Sequence, residues 1–297
     1  MIVLNNEEFH EICEFIRKYK GLAINCQSAL AKRFPKIPKL TLASILQHEK
    51  QIRLRQTHGR INARSKDYLS EYHQKVQNAS KDSGKILVRM AIDMDFSPIS
   101  LARIILATAY PEISKPEISE MIRNFDLVPD PMLALNVGHC VFNDNQEGAI
   151  ADGARRCIGE EYEIRLKDYA RKAGMVFYDE GDLRREGYDK TPDLKMAVPF
   201  LYKGKVVNWI ESKALFGDHD AHKRYLNEQL ISYVNRFGPG IVIYWFGYLD
   251  DIKYYKENDE HIIILHSFPK TEEMEFLSFP NDLESNCKKV EENKNCK

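Results

Sequence analysis

The stretch Lys205–Ala214, KVVNWIESKA, decides the fold of the second half of this 297-residue chain. Successive side chains of a strand leave opposite faces, so Val207, Trp209, Glu211 and Lys213 share one face while Val206, Asn208, Ile210 and Ser212 share the other. The first set puts an acid and a lysine on a face otherwise apolar enough to be buried. Burying such a pair is costly unless partners or a function compensate. The plain alternative is a buried Glu211–Lys213 ion pair that only braces the sheet.

The neighbouring sequence builds a sheet around this strand. Lys203-Gly204 sits where a hairpin turn belongs, so the preceding strand, Leu194 to Pro199, runs alongside and brings Asp193, just after Thr191-Pro192, toward the pair. Val176 to Tyr178 is a shorter strand. His222 to Phe237 reads as a helix stopped by Gly238-Pro239-Gly240, Ile241 to Phe246 as a buried strand and His261 to Leu265 as the last strand. With helical sequence from Pro131 to Lys172, the order predicts an α/β domain, a mixed sheet flanked by helices, over residues 127–270. Asp220 in GDHDAH is expected to cap the helix that follows. Residues 271–297 turn polar and are expected to be a disordered tail.

The first half reads as helix after helix. Phe9, Ile12, Cys13, Phe15 and Ile16 recur at helical spacing, and further segments follow at Gln27 to Phe34, Thr41 to about His58 and Lys66 to about Asn78. In ILVRMAIDMDFSPISLARIILATAY, a turn at Asp95-Phe96-Ser97-Pro98 joins two helices in a helix-turn-helix-like pattern. Its second helix, Ile99 to Ala109, has only Ser100, Arg103 and Thr108 as polar positions, which favours packing over base reading. Residues 1–126 are therefore predicted to be all-α, with a boundary at the LVPDP run.

Net charge is −1, but it is unevenly spread. From Arg17 to Arg89 there are 17 Lys and Arg against four acids, so a polyanion partner is expected there, with Lys50, Arg53, Arg55, Arg60, Arg64 and Arg103 as candidate nucleic-acid contacts. The longest apolar run, Ile241 to Leu249, is too short to span a bilayer, and the N-terminus lacks a signal-peptide pattern, so no membrane association is expected. The six cysteines are scattered, with no CxxC pair and none between Asp193 and Trp245, so free thiols in a reducing compartment are expected and an iron–sulfur cluster is not.

At YDKTPD (Tyr188–Asp193) followed by WIESKA (Trp209–Ala214), the chain resembles the PD-(D/E)xK nucleases, with Asp193, Glu211 and Lys213 in the signature positions. The longer set TPD, WIESKALFGD, NRFGPG and IYW is similar to the codanin-interacting nuclease family, strongly from Gly159 to Tyr248 and weakly before Leu127. The resemblance implies a restriction-endonuclease-like core, a codanin-like partner, and a nuclear and cytoplasmic location. It also implies an acid on the helix before the first strand, preferably Glu163 with Glu161 second, and a QxxxY pair, Gln229 and Tyr233, facing the site.

Those residue types suit phosphodiester hydrolysis, in which most of the catalytic work is charge neutralisation. Asp193, Glu211, Glu163 and the Ser212 carbonyl are expected to hold Mg²⁺, with Mn²⁺ a possible substitute, and Lys213 to orient the water or stabilise the oxyanion. A rival reading keeps the nuclease fold as a catalytically weak adaptor that binds codanin and chromatin-linked factors. Another makes residues 1–126 a sequence-specific DNA-binding regulator.

Overall fold

The structure, a computed structural model, describes residues 2–79, 83–254 and 261–276. A two-residue strand β1 (Val3–Leu4) precedes helices α1 (Asn6–Lys18), α2 (Ala23–Arg33), α3 (Lys39–Ala63), α4 (Ser65–Asn78), α5 (Ile86–Asp93), α6 (Pro98–Ala109), α7 (Lys115–Arg123), α8 (Pro131–Asn143) and α9 (Gly148–Lys172). Local chemistry sets several starts. Asn5 and Glu8 form a capping box on α1, Ser114 and Glu117 another on α7, and Ser97 caps α6 with Pro98 in its first turn.

The sheet follows. Strand β2 (Phe177–Asp179), a short helix α10 (Glu180–Arg185), β3 (Leu194–Tyr202) and β4 (Lys205–Lys213) precede α11 (His219–Tyr225), a π-helical turn at Leu226–Leu230 and α12 (Ile231–Phe237). β5 (Gly240–Tyr244), β6 (Tyr248–Leu249), β7 (Ile262–Leu265) and β8 (Met274–Phe276) complete it. The main sheet runs β2-β3-β4-β5-β7, antiparallel through β2, β3 and β4 and parallel through β4, β5 and β7, with β8 also paired to β3. It is a mixed sheet with α9 and α12 packed against its central strand.

The β3–β4 hairpin forms where expected because Lys203 (φ 49°) and Gly204 (φ 77°) supply the two positive φ angles that a tight two-residue turn requires. Gly240 answers a different need. A Cβ there would stand 2.2 Å from the Trp209 ring, so only glycine lets β5 pass the buried indole.

Two hydrophobic cores form, and their division differs from the boundary expected at residue 126. The first joins the sheet to Leu4, Ile12, Ile16, Leu30, Leu42 and Leu46 from β1 to the early part of α3. The second gathers Ile61, Tyr72 and the α5–α7 residues, and extends through Leu133, Val137 and Cys140 of α8. The 25-residue helix α3 spans both, so the chain leaves one core and enters the other inside a helix. β1 further ties the N-terminus to the second half by pairing in parallel with β6.

Two other expectations are corrected. The tail does not begin at 271. Met274 is buried, Phe276 packs on Phe200, and both lie in a strand paired to β3; the rest of the expected tail lies outside the described residues. The cap of the helix after β4 is Asp218, which accepts from the Ala221 amide at 2.9 Å, so the helix starts earlier than expected and Asp220 lies in its exposed first turn. In line with the packing role favoured for it, α6 buries Ile99, Leu101, Ala102, Ile104, Ile105 and Leu106. Among the described residues, no helix is long and apolar enough to cross a membrane, and Cys13, Cys26, Cys140 and Cys157 are free thiols.

Candidate active site

Asp193, Glu211 and Lys213 meet at the end of the β3–β4 hairpin. The β3–β4 register pairs Leu194 with Ile210, which sets Asp193 beside Glu211 and Ser212. Asp193 Oδ2 accepts from the Ser212 amide at 2.6 Å, and the Asp193 amide donates to Glu211 Oε2 at 3.2 Å. Lys213 Nζ donates to Glu211 Oε1 at 2.7 Å and to Gln229 Oε1 at 2.8 Å, and lies 4.5 Å from the centre of the Tyr225 ring. Side-chain exposure is 12% for Lys213 and 5% for Glu211, so this ion pair is nearly dry.

The electrostatics follow from that burial. Desolvation, reinforced by the Glu211 charge, holds the Asp193 carboxyl well above its ordinary range. Burial alone would pull Lys213 down, yet Glu211 and Asp193 outweigh it and the ammonium is held above its usual value. Glu163 on α9 is exposed at its surface, but partial desolvation, then Glu180 and Glu211, raise it. Glu161 instead pairs with Arg165 at 2.5 Å. Glu163 is thus the helix acid whose charge is coupled to the pair.

Helix geometry supplies the rest. Gln229 sits in the π-helical turn, an irregularity frequent at functional sites, and reaches Lys213. Tyr233 is buried, stacks edge-on against Trp209, and donates to the Thr191 carbonyl at 2.8 Å, fastening the TPD segment. Ser212 turns its hydroxyl to the other face, where Trp245 Nε1 donates to it at 2.8 Å. Tyr225 is the contact that the sequence reading missed. Its signal was present, since Tyr225, Gln229 and Tyr233 recur every four residues.

Desolvation and then the Glu211 charge raise Asp193, while the lysine donates to Glu211. A hard cation such as Mg²⁺ takes one or two carboxylates and fills its remaining positions with water and substrate oxygens, so Asp193 and Glu211 fit it. No group of three or more His, Cys, Asp or Glu placed to hold an ion occurs among the described residues. The expected third carboxylate, Glu163, is therefore not gathered with the other two as a ligand.

The basic candidates lie elsewhere, and four of the six have partners within the fold. Lys50 Nζ lies 2.9 Å from Asp95 Oδ1; Arg53 donates to the Asp95 carbonyl at 3.2 Å and lies 2.8 Å from Oδ2, off hydrogen-bond alignment. Asp95, buried at φ 48° in the α5–α6 turn, is thereby braced against α3. Arg103 donates to Ser119 at 2.7 Å, Arg64 pairs with Asp67 at 3.2 Å, and Arg55 and Arg60 are exposed on α3. Replacing both Lys50 and Arg53 with alanine is therefore expected to destabilise the fold by roughly 1–3 kcal/mol, because Asp95 is left buried without its cations. Chemical denaturation checks this, and unchanged stability would return both residues to the candidate nucleic-acid surface.

Fold and site together define a mixed α/β protein with a part-buried aspartate–glutamate–lysine cluster at the end of its β3–β4 hairpin. Residues 129–268 match a family model described as a protein of unknown function with a TPD sequence motif. CDAN1-interacting nuclease 1 of Xenopus laevis is 38% identical over 275 residues, covering 90% of this chain and 89% of that protein. The Homo sapiens protein of that name is 37% identical over 247 residues, covering 81% and 86% respectively. The one from Gallus gallus is 32% identical over 273 residues, covering 90% and 94%. The chain belongs to the CDAN1-interacting nuclease 1 family. No solved structure matches it.

Proposed function

We propose that this protein is a metal-dependent phosphodiesterase of the PD-(D/E)xK type that cleaves nucleic acid in company with a codanin-like partner. The observation that carries this reading is the part-buried network of Asp193, Glu211, Lys213 and Gln229. A brace needs only the ion pair; here an additional carboxylate is held at a raised pKa beside it, a clustering typical of sites that do chemistry. The relatives' name supports both the nuclease activity and the partner.

In this reading Asp193 and Glu211, with the Ser212 carbonyl, would hold Mg²⁺ or Mn²⁺, and Glu163 would add negative potential from α9. When bound, the ion supplies an acidified water and withdraws charge from the phosphate. Lys213 works as an ammonium, because its neighbours keep it protonated, so it donates to the developing oxyanion and does not act as a base. Gln229 and Tyr225 position Lys213 from the far side. The test is a panel of labelled DNA and RNA substrates with Mg²⁺ or Mn²⁺ and Lys213→Ala as control. Metal-dependent cleavage that the variant loses is expected; equal turnover by the variant would remove Lys213 from the chemistry. A codanin-like partner that co-purifies equally with Lys213→Ala would separate the binding role from catalysis.

A further inference from the structure

Lys213 forms part of the lining of a cavity of about 700 Å³. One wall is the first half of α3, where Leu40, Ala43, Ser44, Gln47 and Gln51 recur at helical spacing on one face. The opposite wall is the first half of α9, with Ala151, Ala154 and Gly159, whose small side chains keep the space open. α3 is fastened over the site: the Phe216 amide donates to Ser44 Oγ at 2.8 Å, Thr41 donates to the Phe246 carbonyl at 2.6 Å, and His48 Nδ1 bonds the buried Asp218.

The chemistry of the lining is one-sided. Lys213, Arg155 and Arg224 line it, and among the described residues no Asp or Glu does, in a chain that carries 44 acids. Five carboxamides accompany them: Gln27, Gln47, Gln51, Asn145 and Gln146. Three of these are already chained, Gln146 donating to Asn145 at 2.9 Å and Asn145 to Gln27 at 3.1 Å. Gln146 is only 9% exposed, and its Oε1 has no hydrogen-bond partner among the described residues.

We propose that this cleft is the channel for an unpaired polynucleotide strand, so that the protein acts on single strands or opened ends and not on intact duplex; the proposal rests on the phosphodiesterase reading above. Carboxamides both donate and accept, which matches base edges, and only unpaired bases offer their pairing edges. The cations of the lining suit the accompanying phosphates, although Lys213 also pairs with Glu211 and Arg155 with Asp152 just outside it. Size agrees: the cavity lies within the roughly 300–1,000 Å³ of pockets that enclose a ligand.

The experiment is fluorescence anisotropy on the full chain without divalent metal, so that binding is read apart from turnover. The probes are a mixed-sequence DNA strand, the RNA of the same sequence, and the DNA duplex. At least one single strand is expected to bind at least ~10-fold more tightly than the duplex, and the preferred sugar identifies the source. Gln47→Glu with Gln51→Glu, nearly isosteric, is expected to lower single-strand affinity by at least ~10-fold while leaving circular dichroism and melting unchanged, because it puts two negative charges into an acid-free channel. Equal affinity for duplex, or a folded double variant with undiminished single-strand affinity, overturns the proposal. Adding Mg²⁺ separates the two readings. Strand binding without cleavage keeps the channel and removes the phosphodiesterase; preferential duplex cleavage does the reverse.

Discussion

Asp193→Asn is expected to abolish metal-dependent cleavage, by at least ~100-fold, while making the metal-free protein more stable. Asparagine keeps an oxygen to accept from the Ser212 amide but removes the charge that stands beside Glu211 in a desolvated site. The direction with pH follows from the raised pKa of Asp193. A carboxyl whose folded pKa is raised contributes stability that is fully present below its unfolded pKa and is lost as pH rises through the folded value. The variant has no such loss, so its advantage should be absent in acid and grow toward neutral pH.

Thermal melts across that range in chelator, with and without added Mg²⁺, read this directly. Mg²⁺ should restore stability to the wild type and do less for the variant, since a ligand stabilises the state that binds it. An enzyme that cleaves normally as Asp193→Asn, or a variant no more stable than wild type at neutral pH, would show that the carboxylate is not held for a cation.

Removing residues 1–33 is expected to unfold the sheet half of the protein, not merely to weaken its hold on substrate. Leu4, Ile12, Cys13, Ile16, Cys26 and Leu30 are all 2% exposed or less and belong to the same core as β3, β4 and β5. At about 1.5–3 kcal/mol for each large buried side chain, their loss amounts to on the order of 10 kcal/mol. A whole domain is stable by only about 5–15 kcal/mol. The deletion also removes β1 from β6, where Gly247 adopts φ 91° and a Cβ would stand 2.1 Å from the Ile2 carbonyl. The fragment should be insoluble or lack a cooperative melting transition. A soluble fragment that melts cooperatively would show instead that α1 and α2 form a detachable module.

Much of the site was legible because strand alternation is a rigid rule. Once KVVNWIESKA was read as a strand, Glu211 and Lys213 had to leave the same face, and the Lys203-Gly204 turn had to bring Asp193 alongside. The helix after it was equally readable from its apolar spacing, although the π-helical turn that helps present Gln229 leaves no trace in a pattern of one period. Charge density misled. Lys50 and Arg53 belong to a basic stretch, but the partner of both is Asp95, more than forty positions away, and a count of charges along the chain cannot contain that contact.

By itself the sequence determined the local geometry: which residues share a face, where the chain turns, where helices start, and hence the composition of the acid–lysine cluster. Only the tertiary structure decided how the halves join, because β1 and β8 are two and three residues long and too short to show a period, and are defined by the strands they pair with. The same holds for the cleft. Its walls are over a hundred residues apart in the chain, and its freedom from carboxylates arises from which face of α3 meets which face of α9, a choice made by long-range packing of buried side chains and not by any local preference.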